Sequence, residues 1–415
     1  MLEVKSVNEV YDILEREFAD ICPESETVDI CSACGRILAQ DVLSHEDIPA
    51  FHRSSVDGYA VCAADTFGAG EAAPAQLSFS GEIRMGEKPA FPLERGHTVY
   101  IPTGGELPEG ADAVVMVEYS EDLGDGYIYL GKAAAPGNNM VFKGDDIRAG
   151  ARVFPRGKRL RPQDIGVLAA LGVTSVPVKK RIRVGILSTG DEVVDIHESP
   201  AGAQVRDINS YSLYAGLLAY GAEPVLYGII RDRFECMRET ALKAAGECDV
   251  VLISGGSSVG SRDETLRVIA SLGEPGVLVH GIAVKPGKPT ILARIGNKAV
   301  FGLPGHPASA YFIFHLFVLR LLDRVNRVNE PKHYPIPARM SKNYPSNHGR
   351  EEYVPVRLTH DGTCAVASPV FGKSGLITLL SSADGYVRVE RGTEGLKAGA
   401  TVEVIPFGRY GGGGI

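Results

Sequence analysis

Apolar residues recur every three or four positions at Val7, Val10, Ile13, Leu14 and Phe18, a spacing that predicts an amphipathic helix near the start of the chain. Ser6 stands where an N-cap belongs, and Glu9 three residues on completes a capping-box signature. After a break at Pro23 the segment Val28 to Leu38 reads as a short helix, and from about Ala39 to Val153 the pattern becomes short strands separated by glycine-rich turns. Helical periodicity returns at Pro162, a residue suited to a first turn, and runs to Leu171. A β-rich module inserted between two parts of another unit is the simplest reading, with Lys179, Lys180 and Arg181 at its far boundary.

From Ile182 the pattern alternates. Ile182 to Leu187 reads as a strand, Asn209 to Tyr220 as a helix, Glu223 to Ile229 as a strand, Phe234 to Ala245 as a helix and Val250 to Ile253 as a strand. Val277 to Val284 and Ala299 to Phe301 read as further strands, and Pro307 to Val325 as a long closing helix. Such alternation predicts a mainly parallel sheet covered on both faces, with its site at the carboxyl ends of the strands. Asn329 to Pro337 reads as a linker. Beyond it, short alternating runs such as Tyr353 to Leu358 and Thr401 to Ile405 predict a small antiparallel barrel.

Three loops at those strand ends carry the chemistry: Ser254 to Gly260, Lys285 to Pro289, and Gly302 to Ser309. A strand, a glycine turn and a helix start bring free backbone N–H groups to one point, where the helix dipole favours negative charge. Ser258 and Ser309 add hydroxyl donors, and Lys285 and Lys288 add positive charge. The pattern predicts a multi-oxygen anion as ligand. A fourth turn, Thr189 Gly190 Asp191 Glu192, suits either a phosphate held by backbone or a divalent cation held by carboxylates. Asp263 is a further carboxylate at the same end, and its alternative reading, like that of Asp191, is a helix N-cap. Carboxylates beside phosphate loops imply Mg²⁺, which keeps like charges from repelling one another.

Composition narrows the partners. At 415 residues the chain is long enough for several domains, and a net charge of −8 argues against a general nucleic-acid surface. The longest apolar stretch, Ala308 to Leu322, contains His315 and Arg320 and is too short to span a bilayer. Glu3, Glu9 and Glu15 interrupt any secretory leader pattern, and seven cysteines read as free thiols, so a cytoplasmic location is expected. Cys31 and Cys34 form a lone Cys-x-x-Cys pair, more readily packed than metal-binding. Neither a Walker loop nor a full dinucleotide fingerprint occurs.

Seven motifs stand in one order along nearly the whole chain: Asp57 Gly58 Tyr59 Ala60, Pro102 Thr103 Gly104, Gly144 Asp145 Asp146 Ile147, Ser188 to Glu192, Ser254 Gly255 Gly256, Lys285 to Pro289, and Gly302 Leu303 Pro304 Gly305. In these the chain resembles the molybdopterin molybdenumtransferases, the group that includes bacterial MoeA and the E domain of gephyrin. The resemblance implies a multidomain α/β protein. Its parts would be a three-layer molybdopterin-binding α/β domain with a mainly parallel sheet (181–330, with the N-terminal helix 5–19), an inserted β-rich domain (45–147), an elongated linker domain (20–44 and 148–180) and a small C-terminal β-barrel (331–410).

The implied reaction takes adenylylated molybdopterin and molybdate or tungstate, hydrolyses the adenylyl phosphoanhydride with Mg²⁺, and leaves the metal on the dithiolene with release of AMP. Carried over by position, Lys285, Lys288, Pro289, Ser258 and Ser309 resemble oxyanion and substrate contacts, with Thr189, Gly190, Gly255, Gly256 and Pro304 in the same loops. Arg350 and Ser382 resemble the contribution of the last domain. Asp57, Asp146, Glu192 and Asp263 match the Mg²⁺-binding and catalytic acids, and Thr103 lines the same cleft. Asp263 would either orient a water or ligate the metal. The resemblance also implies an elongated homodimer with its sites between protomers, and transient contact with an adenylyltransferase or a recipient molybdoenzyme.

Some positions depart from the pattern. Val56 stands where Met is common, and His306 stands where many relatives carry Asn. Cys31, Cys34 and the glycines 411–414 have no counterpart. Two other functions share parts of the pattern: the adenylyltransferase that prepares the substrate, and a non-catalytic cofactor carrier or dimeric scaffold. The long segments before Ile182 and after Asn329 argue against the first, and the joint presence of the charged loop residues argues against the second.

Overall fold

Strands covered on both faces read as unbroken apolar runs, and four of these runs form the parallel part of the central sheet. In the computed structural model its order is Glu223–Ile230, Arg183–Thr189, Val250–Ser254 and Lys298–Leu303, followed by the antiparallel strands Ile291–Ile295 and Pro275–His280. The structure describes residues 4–255, 259–329, 335–347 and 349–408, with 259–263 described by backbone alone. Successive residues face opposite sides. Val184, Ile186, Leu252 and Phe301 join one core with the helices Val7–Glu17, Asn209–Tyr220 and Pro307–Ile313. Leu187, Val251, Ile253 and Val300 join the other, under the helices Phe234–Glu247 and Val259–Ala270.

The first helix is set as its sequence predicts: Ser6 Oγ accepts from the Glu9 backbone N–H, and Glu9 reaches back to the Ser6 N–H at 2.7 Å. The long closing helix is continuous but not uniform. Pro307–Ile313 widens through one π-turn, Phe314–Val318, before Leu319–Asn326. Phe312, Phe314 and Phe317 on it are fully buried. Phe312 meets Tyr353, Tyr386 and Phe407, so the same aromatic cluster joins the sheet unit to the C-terminal unit.

Sequence reasoning expected Val277 to Val284 as one strand, and the structure divides it. Pro275–His280 pairs within the sheet, Gly281 turns with φ +99°, and Val284–Lys285 leaves to pair in parallel with Glu351 and Glu352. Apolar pattern alone does not show that turn, because Val279 before Gly281 and Ile282 after it are both buried. Lys5 stitches the same place: its N–H donates to the Gly281 carbonyl at 3.0 Å and its carbonyl accepts from Ala283 at 2.7 Å.

The C-terminal sheet closes on itself. Glu351–His360 pairs with Ala365–Pro369, then Ile336–Met340, Thr401–Pro406 and Gly385–Val389, which returns to Glu351–His360, giving a five-stranded barrel. Its first strand starts at Ile336, inside the expected linker. The β-rich insert is a six-stranded sheet with an apolar cluster on each face, one around Tyr59, Val115 and Ile128 and the other around Ala60, Val99 and Val114.

A small core of Ala33, Leu38, Val42, Phe154, Leu160, Leu168, Val176 and Val178 gathers residues from either side of the insert. Here Val28 to Leu38 is not the expected helix. Ser25–Asp29 is a strand paired with Ser175–Lys179, and a single 3₁₀ turn, Ile30–Ser32, follows. Asp29 Oδ1 accepts the Cys31 N–H at 2.8 Å and ends the strand there, so the local cap overrides the apolar spacing. Cys31 and Cys34 are exposed free cysteines, and the Asp29 carboxylate pushes the Cys31 thiol up.

Candidate functional site

Parallel register brings the functional loops to one edge. Ser188 pairs with Ser254 and Ser254 with Leu303, so the turns after all three strands emerge side by side. Ile291 pairs with Gly302, so the antiparallel strand begins at that same edge and delivers the Lys285 to Pro289 loop to it. Gly255 shows why this crowding needs glycine. A Cβ there would fall inside the contact distance of Thr189 Oγ1 and the Thr189 carbonyl.

Two cavities open at this edge and meet at His306. The smaller, about 330 Å³, is lined by Thr189, Glu192, Asn209, Ser254, Gly255 and His306, among others. The larger, about 570 Å³, includes Lys285, Lys288, Pro289, Ser309, Arg350 and Lys373 in its wall. The His306 ring faces Ser374 Oγ at 3.1 Å, which ties the third loop to the C-terminal unit.

The larger cavity is cationic. Lys285 Nζ lies 2.7 Å from Glu352, whose carboxylate also accepts from Tyr344 Oη at 2.8 Å and Ser346 Oγ at 2.6 Å. Burial pushes the Glu352 carboxyl up, but Lys285 and the two hydroxyls outweigh it and hold the group below the usual range. No ion-pair partner is found among the described residues for Lys288 or Arg350. Tyr344 stacks on Phe371 with centroids 5.8 Å apart, an aromatic wall on the same cavity.

The smaller cavity has Glu192, Asp207 and Arg206 in its wall, and two further acids, Asp191 and Asp232, stand behind its first turn. The Glu192 carboxylate folds back over Gly190, with Oε2 2.8 Å from where a Cβ would stand. Asp232, which follows the edge strand Glu223–Ile230, comes to the same turn, and its N–H donates to Asp191 Oδ1 at 3.4 Å. Burial, then the like charges of Asp191 and Glu192, hold the Asp232 carboxyl above the usual range, with the Thr189 hydroxyl pulling the other way. Asp232 Oδ1 is buried without a hydrogen-bond partner. Sequence reasoning missed Asp232, although its place just past a strand of this sheet was a usable signal. It also missed Asn209, Tyr344 and Phe371, which carry no motif, and the role of Glu352, two residues past Arg350 in the segment Gly349 to Tyr353.

Other expected residues lie elsewhere. Gly58 pairs with Ile101, so Asp57 and Thr103 meet at one end of the inserted sheet, where Asp57 Oδ1 accepts from the Thr103 backbone N–H at 2.6 Å and its hydroxyl at 2.9 Å. Those two bonds hold the Asp57 carboxyl below the usual range. Asp146 stands where the chain leaves the insert, its N–H bonded to the Ile48 carbonyl. None of the three lines either cavity. Nor does Pro304, which is buried, or Ser382, whose carbonyl accepts from Arg357 Nε at 3.2 Å. Gly256 and Ser258 lie outside the described residues, as does the side chain of Asp263. Among the described residues no group of three or more His, Cys, Asp or Glu side chains forms a metal cage, and no helix is long and apolar enough to cross a membrane.

Known proteins share this architecture. Residues 5–172 match the MoeA N-terminal region (domain I and II), 185–324 a probable molybdopterin binding domain, and 337–407 the MoeA C-terminal region (domain IV). A molybdopterin molybdenumtransferase of Bacillus subtilis is 31% identical, over 92% of this chain and 90% of that one. Another, of a Nostoc species, is 35% identical over 73% and 70%. The crystal structure of a molybdopterin biosynthesis MoeA protein from Pyrococcus horikoshii superposes with a TM-score of 0.84 at 31% identity, over 97% of this chain and all of that one.

Proposed function

The chain belongs to the molybdopterin molybdenumtransferase (MoeA) family, enzymes of molybdenum cofactor biosynthesis, and we propose that it cleaves adenylylated molybdopterin as it inserts the metal. Molybdate, or tungstate, enters as a tetrahedral dianion; water attacks the adenylyl phosphoanhydride, AMP leaves, and the metal stays on the dithiolene. The observation that carries this reading is the pairing of a cationic cavity, with Lys285, Lys288 and Arg350, and an acid-bearing cavity, with Glu192, joined at His306.

Each end of that cleft suits one part of the reaction. Lys288 and Arg350 bind oxyanion oxygens, Arg350 through two parallel N–H groups that a lysine could not reproduce. Ser309 donates from the first turn of its helix, where the dipole adds to the attraction. Gly255 and the Thr189–Gly190 turn offer backbone N–H groups to phosphate.

The acids fit Mg²⁺. Glu192 reaches the smaller cavity and Asp232 lies beside the same turn, where burial and like charge hold its carboxyl above the usual range, a repulsion that a divalent cation would relieve. Mg²⁺ takes one or two carboxylates together with substrate phosphates and water, so a preformed cage of acids is not required. Bound there, it would offset the charge that develops on the phosphoanhydride oxygens. Glu192 and Asp232 would hold it, with Asp263 orienting the attacking water or joining the ligands.

Asp57, Thr103 and Asp146 complete the site from a second protomer in this reading. A homodimer explains why motifs far apart in sequence serve one reaction. Free cysteines suit the reducing cytoplasm.

The experiment is AMP release from adenylylated molybdopterin by the purified protein with Mg²⁺, with molybdate, tungstate or no oxyanion. Oxyanion-dependent release that fails in Asp263→Ala is expected. Substrate bound without release would make the protein a carrier, and adenylylation of molybdopterin from ATP would make it the preceding enzyme.

A further inference from the structure

Asn209 begins the Asn209–Tyr220 helix in the wall of the smaller cavity and is only 8% exposed. Its Nδ2 donates to Ser254 Oγ at 2.7 Å and to the Gly305 carbonyl at 2.9 Å. A carbonyl can only accept, so the amide has one orientation: nitrogen toward the two loops, oxygen away from them. That oxygen, Oδ1, is buried and has no hydrogen-bond partner among the described residues. A buried, unpaired acceptor is costly, and a fixed backbone carbonyl prevents the amide from turning to relieve it.

The ligand must therefore bring a donor. Phosphate and molybdate oxygens are acceptors and cannot serve. Within the substrate class of the proposed reaction, on which this step rests, the donors are the ribose hydroxyls and the amino groups of the pterin and adenine rings, and the apolar wall beside Asn209, of Val193, Val205, Ile208 and Pro307, suits a ring. We infer that Asn209 is a specificity-determining residue whose Oδ1 accepts an N–H from the exocyclic amino group of the substrate's heterocycle. The same side chain fastens the Ser254 and Gly305 loops, so reading the ring and setting the anion loops are done by one amide. A site built around a hydrogen bond rejects a ligand that lacks the group, because its own buried atom is then left unpaired.

The test uses the full chain and two matched pairs of ligands in equilibrium binding. Pterin and lumazine differ in the 2-amino group; AMP and purine riboside 5′-monophosphate differ in the 6-amino group. Wild type is expected to prefer the amino compound of one pair by roughly tenfold, and the pair that discriminates identifies the ring that is read. Asn209→Leu is expected to bring that ratio to about one. Ser254→Ala removes a tie without touching Oδ1, so it is expected to weaken both ligands of the pair and keep the ratio. No preference by wild type in either pair, or a preference that survives Asn209→Leu, overturns the assignment. If Asn209→Leu does not fold, absence of a wild-type preference still overturns the assignment, and Asn209→Asp, which keeps an acceptor at Oδ1, is expected to keep the ratio. AMP release without discrimination would remove this inference alone, whereas discrimination without AMP release would remove the proposed reaction and leave the ring-reading role.

Discussion

Glu352 shows how a residue with no role read from the sequence can govern one that has one. Lys285 was legible in the sequence as a loop cation, but nothing there said that a buried carboxylate 67 positions later would take its charge. Three donors converge on Glu352, and Glu352→Gln turns an NH₂ group toward them. The expected cost is about 2 kcal/mol in urea unfolding at pH 7, moderated by the exposure of Lys285. The sign of the pH dependence follows from the lowered carboxyl. Its contribution is present above the unfolded-state value, near pH 4.3, and is lost as pH falls through the lower folded value. Wild type is thus expected to lose more stability than Glu352→Gln between about pH 5 and pH 3, read as the change in urea midpoint.

Elements were more legible than partnerships. Asn209–Tyr220 was anticipated to the residue, and Glu223–Ile230 and Val250–Ser254 to within one, because long apolar runs and capped helices are set by local spacing. Val277 to Val284 failed because burial continues through Gly281 while the chain turns to another sheet. Val28 to Leu38 failed because a capped turn and a distant strand decided it. The loops themselves were visible as glycine clusters, but their contact was not. Gly255 and Thr189 touch across neighbouring strands, so Gly255→Ala is expected to force the two turns apart, destabilise the fold by about 1–3 kcal/mol and reduce oxyanion-dependent AMP release at least roughly tenfold. A melt and a rate on the same preparation check both parts.

At the scale of the whole molecule, the separation of the acids is the feature to explain. Asp57 and Asp146 line neither cavity, although sequence reasoning grouped them in one site with Lys288 and Arg350, which line the larger. Sequence order cannot show which copy of a chain supplies a residue. If sites are shared between protomers, Asp57→Ala and Lys288→Ala are each inactive alone, and mixing them after dissociation restores about a quarter of wild-type activity, since half the dimers are mixed and each holds one intact site. Recovery near zero in dimers shown to have exchanged subunits would assign both residues to the same protomer.

The backbone bonds from Lys5 to Gly281 and Ala283, and from Ala283 to Glu351, string three distant parts of the chain into one row beneath Lys285. A protein made from its N-terminus can order the parallel strands as they emerge, yet this row stays open until residue 351 has left the ribosome. The Lys285 to Pro289 loop is consequently set late, so a nascent or truncated chain that ends before the barrel would carry both loop lysines and still lack the pairing of Val284 and Lys285 with Glu351 and Glu352 that aims them.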